Sequence, residues 1–223
     1  GFHWSDISPQ WENWTPEMFI EGLEHPLARK GFASDYQALD WADAVVMVMP
    51  VVMPVAVVDA DAFHMMMVTH LGLADRVLEA LEERITYARD GTQRAESVPD
   101  VVVRAISADE VEAIVALAHE HQVPITPRGA GTSTTGGAIP VKKGIVLDLT
   151  AMNRIKEIDT DNLVAVVEPG VVTGQFHAAV EKLGLFYPPD PASRAVCTLG
   201  GNAAMCAGGP RGVKYGVTKD YII

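Results

Sequence analysis

Residues 124–137 constrain the fold of this 223-residue chain more than any other stretch. After Arg128 this loop holds four glycines and four Ser or Thr residues in nine positions, and apolar, strand-like residues flank it on both sides. Glycine lets a backbone approach a ligand closely, and successive free N–H groups form a concave anion site. The stretch therefore predicts a turn between two strands that binds a phosphate or pyrophosphate. A glycine-rich hairpin without a ligand is the alternative.

The loop matches neither of two familiar phosphate-binding motifs. The dinucleotide fingerprint would need a third glycine where Thr134 stands, and a helix immediately afterwards. A P-loop would need Lys followed by Ser or Thr after its second glycine, but Gly137 is followed by Ala138. Because Pro140 comes soon after, we expect the loop to continue toward a strand over residues 144–149.

The residues before the loop predict a strand–helix–strand unit. Residues 101–104 and 123–126 are apolar enough for two strands. Between them, Ser107 and Glu110 form a capping box that opens a helix. That helix has a continuous apolar face and ends at two histidines, which suit the negative end of a helix dipole. Apolar spacing also predicts an earlier helix, which would end near Gly91 and would bury Leu71, Leu78, Leu81 and Ile85.

A second glycine-rich region follows further along the chain. Residues 155–158 and 163–167 predict an antiparallel pair, and Thr173 is expected to cap a helix that runs through Leu183. Residues 187–215 then hold two more clusters of glycines beside hydroxyl, amide and guanidinium groups. Two such loops joined by α/β elements fit one long dinucleotide better than a single phosphate.

Composition excludes several classes of partner. The chain is 48% hydrophobic and 21% charged, which is typical of a globular protein. A net charge of −12 argues against a nucleic acid or an anionic membrane as the main partner. Cys197 and Cys206 lack metal-ligand spacing and predict free thiols in a reducing cytoplasm. No secretory signal opens the sequence, and the apolar residues 44–58 are interrupted by two prolines and are shorter than the roughly 20 residues of a membrane span.

The first 50 residues carry one resemblance. The motifs Trp11-Glu-Asn-Trp14, Leu23-Glu-His-Pro26 and Asp40-Trp-Ala-Asp43 precede a buried strand, and they resemble nucleoside 2-deoxyribosyltransferase-like proteins. That family places a catalytic glutamate after this strand, but no glutamate occurs between Glu24 and Glu79. We therefore expect residues 1–50 to be a fragment that is not itself competent, with an unrelated acidic helical segment as the alternative. Residues 51–66 are interpreted as a seam or linker.

A more specific resemblance covers residues 67–223 through short motifs in a fixed order. These are Pro127-Arg-Gly-Ala-Gly-Thr132, Gly136-Gly137, Val146-Leu-Asp-Leu149, Glu168-Pro-Gly-Val171, Tyr187-Pro-Pro-Asp-Pro-Ala-Ser193, Thr198-Leu-Gly-Gly-Asn202, Ala207-Gly-Gly-Pro210 and Lys214-Tyr-Gly216. They resemble the FAD-linked oxidases with a p-cresol methylhydroxylase-type FAD-binding domain. Within that group they resemble the branch of glycolate oxidase FAD subunits and D-lactate dehydrogenases.

The resemblance implies an α+β FAD-binding domain that is incomplete at its C-terminal end. Some relatives attach FAD through a histidine just after the second glycine of the first loop, the position that follows Gly131 here. Thr132 stands there, so the FAD is expected to be non-covalent. The cofactor-binding residues implied are Arg128, Gly129, Ala130, Gly131, Thr132, Ser133, Gly137, Pro189, Asp190, Ser193, Thr198, Gly200, Gly201, Asn202, Gly208 and Gly209.

The implied activity is oxidation of a 2-hydroxy acid of the glycolate or D-lactate type, with hydride transfer to flavin N5. The electron acceptor is not identified, and partner subunits are possible in this family. The family draws its substrate-binding and proton-accepting groups largely from a later domain, so no residue is assigned as catalytic. No metal site is expected. Two alternatives remain: N-glycosidic deoxyribosyl transfer, and an inactive truncated fusion.

Overall fold

The computed structural model describes residue 65 and residues 67–68, 71–92 and 96–223. The deoxyribosyltransferase-like fragment at residues 1–50 and most of the seam at 51–66 lie outside the described residues. The described elements mix helices with a four-stranded and a two-stranded sheet, which confirms the α+β class. In this part of the chain no helix is long and apolar enough to cross a membrane.

The larger sheet has four short strands in the order β1–β2–β4–β3. They are β1 (Val77–Leu78), β2 (Val101–Arg104), β3 (Ile125–Arg128) and β4 (Ile145–Asp148). Strands β2, β3 and β4 are parallel, and β1 is antiparallel to β2 at one edge. All four residues of β4 are buried, as expected for the strand between two parallel neighbours.

Helix α2 (Ala108–Glu120) connects β2 to β3 and covers the sheet. Ser107 Oγ accepts a hydrogen bond from the Glu110 N–H at 3.3 Å, as half of the predicted capping box requires. The other half differs, because the Glu110 carboxylate accepts from the N–H of Ile106 at 2.9 Å and pairs with Arg76. The predicted apolar face is confirmed, and its buried members are Val111, Ile114 and Ala118.

The predicted long helix over residues 71–90 is wrong. The chain instead forms a 3-10 turn (Ala74–Arg76), strand β1, the one-turn helix α1 (Leu81–Arg84) and another 3-10 turn (Ile85–Tyr87). Gly72 has φ +64°, which a continuing right-handed helix does not allow. Val77 is buried and pairs with Val103, whereas Leu81 and Ile85 are 55% and 50% exposed. Pairing at the sheet edge therefore prevailed over the helical spacing of the leucines.

A second, smaller core lies further along the chain. Strands β5 (Ile155–Asp159) and β6 (Val164–Val167) form the predicted antiparallel pair. Partly buried residues of this pair pack on helix α3 (Thr173–Glu181), around a core of Val171, Phe176, Val180 and Leu199. The chain continues through α4 (Leu199–Met205), α5 (Gly212–Tyr215) and a 3-10 turn (Thr218–Tyr221).

Thr173 does not cap its helix as the sequence predicted. Val172 is the N-cap residue of α3, and Thr173 is the first helical residue. The Thr173 hydroxyl instead donates to the Cys197 carbonyl at 3.1 Å. The helix also ends two residues before Leu183, which is 50% exposed. The hydroxyl therefore links α3 to the segment that leads into α4.

Replacing Ile114 by Ala is expected to lower the free energy of unfolding by about 2–5 kcal/mol, because Ile114 is fully buried between α2 and the sheet. The matched control is Ile85→Ala, because that side chain is half exposed and its loss should change the free energy of unfolding by less than about 1 kcal/mol. Urea unfolding of both variants measures the difference. Equal losses would contradict the placement of the core.

Candidate functional site

The glycine loop leaves the sheet where three charged residues lie side by side. In the strand register Asp148 pairs with Arg104 on one side and with Arg128 on the other, at the carboxyl ends of β2, β4 and β3. Tyr87 donates its hydroxyl to Asp148 Oδ2 at 2.7 Å, and Arg104 Nε donates to the same oxygen at 3.3 Å. A negative charge between two positive ones makes the burial of Asp148 tolerable.

Arg128 supports the loop from inside the protein. Its side chain is buried, and Nη1 donates to the carbonyls of Ala138 at 3.2 Å and Tyr87 at 3.4 Å. The guanidinium also lies 5.4 Å from the centre of the Tyr87 ring. Burial lowers the pKa of Arg128, while the nearby Tyr87, Asp90 and Asp148 oppose that change. The guanidinium therefore holds the two ends of the loop together, a role that the sequence did not reveal.

The two predicted glycine regions meet at Gly129 and Thr198. A Cβ on Gly129 would overlap Thr198 Oγ1, so only glycine permits this approach. Thr198 is the N-cap residue of α4 and accepts a hydrogen bond from Gly201 N at 3.2 Å. At the other end of the loop, a Cβ on Gly137 would lie 3.2 Å from Met205 Sδ, at the last residue of α4. The loop therefore lies along α4.

The first turn of α4 packs equally closely on Pro169. Gly200 N donates to the Pro169 carbonyl at 2.8 Å, and a Cβ on Gly200 would lie 2.6 Å from Pro169 Cβ. Glu168, the residue before Pro169, is buried and accepts hydrogen bonds from the Arg154 side chain at 2.7 and 3.0 Å. The hydrogen bond from Arg154 lowers the pKa of Glu168, so the carboxylate stays ionised in the fold.

The predicted positions Asp190, Gly208 and Gly209 lie together. The Asp190 N–H donates to the Gly208 carbonyl at 2.9 Å, and a Cβ on Gly209 would overlap the Asp190 carbonyl. The Asp190 carboxylate pairs with Arg194 at 3.0 Å and with Arg211 at 3.4 Å. The structure thus brings the 188–190 segment and the 207–209 turn together. The carboxylate of Asp190 therefore forms ion pairs with two arginines of the same chain.

Three other predicted residues form contacts within the fold. Asn202 is buried, and its Nδ2 donates to Thr173 Oγ1 at 2.7 Å. The buried Pro189 accepts a hydrogen bond from His177 Nε2 through its carbonyl at 2.9 Å. The Ser193 carbonyl accepts the N–H groups of Val196 and Cys197 at 2.8 Å each. These side chains and carbonyls fix the shape of the second region.

The sequence missed one wall of the loop, which the turn at residues 90–92 supplies. A Cβ on Gly91 would lie 2.9 Å from the Thr132 carbonyl and 2.8 Å from that of Ser133. Asp90 Oδ1 accepts the Thr92 N–H at 2.8 Å, and its other oxygen, Oδ2, is buried. The sequence predicts that Asp90 and Gly91 end a helix, so it does not predict their position beside the loop.

The arrangement fits a long, phosphate-bearing ligand. Ala130, Thr132 and Ser133 are partly exposed between the 90–92 turn and the start of α4, while Thr134 and Thr135 are exposed. Because the glycines carry no side chains, a phosphate can approach the loop backbone closely.

The described residues contain no group of three His, Cys, Asp or Glu placed to hold a metal ion. Both cysteines are free, and Cys197 is buried.

Comparison with known proteins places this site in a family. A family model described as an FAD binding domain matches residues 99–223, which include both glycine regions. The chain belongs to the FAD-binding-domain family. This FAD-binding domain is 49% identical over 140 residues to a glycolate oxidase subunit GlcD of Bacillus subtilis, which covers 63% of the chain and 30% of that relative. It is 45% identical over 124 residues to a D-lactate dehydrogenase of Anaerostipes hadrus, which covers 56% of the chain and 26% of that relative.

Solved structures give the same assignment. The FAD-binding domain superposes on p-cresol methylhydroxylase with a TM-score of 0.56 at 28% identity, over 66% of this chain and 30% of that one. An alkyldihydroxyacetonephosphate synthase gives a TM-score of 0.64 at 27% identity, over 76% and 32%. The resemblance drawn from the sequence motifs is confirmed, as is FAD as the cofactor of the family. The chain spans less than a third of the length of these two curated relatives.

Substitution of Gly129 by Ala is expected to destabilise the flavin-free FAD-binding domain by about 1–3 kcal/mol, because the new Cβ overlaps Thr198 Oγ1. Thr198→Ala should cost about 1 kcal/mol through the lost cap. The double variant should cost less than the sum, because removal of Oγ1 relieves the overlap. Urea unfolding of the four proteins of this cycle measures the coupling.

The control for an added methyl group is Gly212→Ala, where the nearest atom, Val217 Cγ1, is 3.6 Å from the new Cβ. This variant should lose little stability. Strictly additive effects of Gly129→Ala and Thr198→Ala would show that the two glycine regions do not meet at these residues.

Proposed function

We propose that this chain binds FAD non-covalently as the flavin-binding portion of an oxidoreductase that acts on a 2-hydroxy acid of the glycolate or D-lactate type. The observation that carries the proposal is the contact of Gly129 with Thr198, which joins two glycine regions into one surface. A dinucleotide is long enough to use both regions. The names of two similar curated relatives support the substrate class.

The first loop is proposed to hold the pyrophosphate. Its donors would be the backbone N–H groups of Gly129, Gly131 and Thr132, helped by the Ser133 hydroxyl. Arg128 would act through the shape of the loop, because Nη1 already donates to the carbonyls of Ala138 and Tyr87. Thr132 offers no imidazole for covalent attachment, and this supports a non-covalent flavin.

The second region is proposed to contact the other half of the cofactor. Thr198, Gly200 and Gly201 would line it at the start of α4, with Gly208 and Gly209 at the adjoining turn. Asn202 would position α4 against α3, because its amide is bonded to Thr173. Asp190 would play the same positioning role for the 207–209 turn through Arg194 and Arg211.

When bound, FAD would accept at N5 the hydride that leaves the hydroxyl-bearing carbon of the substrate, and the protein's part would be binding and orientation. We assign no residue of this chain to the substrate carboxylate or to the hydroxyl proton. The description of the Bacillus relative as a subunit supports an assembly with other subunits. The two free cysteines support a cytoplasmic location.

The double variant Arg128→Ala with Thr132→Ala is expected to weaken FAD binding at least tenfold. It removes the Arg128 hydrogen bonds to Ala138 and Tyr87, which hold the loop in shape, and the Thr132 hydroxyl beside the backbone donors. Quenching of flavin fluorescence on titration of the flavin-free protein measures the dissociation constant. Thr134→Ala is the matched control, since Thr134 is an exposed hydroxyl of the same loop. An unchanged dissociation constant in the double variant would remove the pyrophosphate role.

A further inference from the structure

The carboxylate of Asp90 has a feature that the fold alone does not explain. Asp90 Oδ1 accepts the Thr92 N–H at 2.8 Å, which closes the turn. Asp90 Oδ2 is buried and has no hydrogen-bond partner, the single such side-chain atom among the residues that the structure describes. A buried charged oxygen without a donor is costly, and proteins seldom leave one unless a ligand or water completes it.

The position of Asp90 links this oxygen to the cofactor loop. The next residue, Gly91, packs so closely on the carbonyls of Thr132 and Ser133 that a Cβ would lie only 2.8–2.9 Å from them. Asp90 is also near enough to Arg128 for its negative charge to raise the pKa of Arg128. The Arg128 hydrogen bonds, however, go to the carbonyls of Ala138 and Tyr87. The guanidinium is therefore engaged elsewhere.

The hydrogen-bonding properties of Oδ2 limit which part of FAD it can bind. A carboxylate oxygen is an acceptor only, and it would be repelled by the pyrophosphate, which carries the same charge. On either side of the pyrophosphate, FAD carries sugar hydroxyls, which are neutral donors. We infer that Asp90 Oδ2 accepts a hydrogen bond from a ribityl or ribose hydroxyl of FAD next to the pyrophosphate. This inference rests on the proposed function.

Such a bond would make Asp90 a specificity residue. Free inorganic phosphate or pyrophosphate would gain nothing from it and would meet a negative charge, whereas a phosphate ester of a sugar would gain a charge-assisted hydrogen bond. The 90–92 turn would then help the loop to discriminate a nucleotide from a simple anion. In the family resemblance drawn from sequence, no residue before Arg128 was assigned to the cofactor.

Asp90→Asn tests the inference, because the amide keeps the Oδ1 bond to Thr92 N and replaces Oδ2 by a donor. Asp90→Ser is a second variant, since a serine hydroxyl can also accept from the N–H two residues on. We expect either variant to raise the dissociation constant for FAD about tenfold or more. The flavin-free variants should unfold at the same temperature as the parent chain or higher, because an unpaired buried charge has been removed. Asp161→Asn, in an exposed turn, is the matched control.

The outcomes separate the possible failures. If the parent chain does not bind FAD, the proposed function fails. If the parent binds FAD and both Asp90 variants bind it equally well, the inference about Asp90 fails and the proposed function stands. If the flavin-free variants melt at markedly lower temperature, Asp90 has a structural partner, and the inference is again wrong.

Two smaller ligands identify the hydroxyl. Flavin mononucleotide carries the ribityl chain with one phosphate, and ADP carries the adenosine ribose with two. A loss of affinity in Asp90→Asn with flavin mononucleotide assigns the ribityl hydroxyl, and a loss with ADP assigns the ribose. A loss with neither ligand overturns the inference.

Discussion

The close approach of Gly129 to Thr198 is the contact on which the candidate site depends. Gly129 directly follows β3, and Thr198 caps α4, so this one contact sets the start of the loop against the start of a helix about 70 residues later. The absence of a side chain at Gly129 permits it, because a methyl group would overlap the buried Thr198 hydroxyl. Without this approach the two glycine regions would be separate loops.

A row of charges beneath the loop provides the second constraint. Arg104, Asp148 and Arg128 end three neighbouring strands in one register, and Tyr87 covers them. Burial of an arginine is expensive, and burial indeed lowers the pKa of Arg128, but the neighbouring carboxylates and carbonyl acceptors offset the cost. The same side chain thereby fixes the two ends of the loop. Rigidity at these ends reduces the entropy lost when the loop orders around a ligand.

Local patterns were sufficient to predict much of this fold. Strands β2 to β6 and helix α2 follow from apolar runs, a capping residue and turn residues, which act over a few positions. The family and its cofactor followed from the order of the glycine motifs. The helix predicted over residues 71–90 failed because Val77 pairs with Val103, a partner 26 positions away. Thr173 was misassigned for a similar reason, since its hydroxyl bonds to Cys197.

The functional surroundings of the loop were less predictable than the loop itself. Nothing in the local sequence around Asp90 and Gly91 shows that they pack on Thr132 and Ser133. The engagement of Asn202 with Thr173, and of Asp190 with two arginines, likewise depends on contacts between distant segments. The motifs predict which residues lie near the cofactor. The structure shows which of these residues have an exposed backbone and which have side chains that hold the two glycine regions in shape.

The central claim is that both glycine regions belong to one dinucleotide site, and competitive titration tests it most directly. Flavin-free protein is titrated with FAD, flavin mononucleotide and ADP, and the three dissociation constants and stoichiometries are compared. One site that spans both regions predicts one FAD per chain, bound at least tenfold more tightly than either smaller ligand, with each of them displacing it. FAD affinity no higher than that of ADP or flavin mononucleotide would contradict the account.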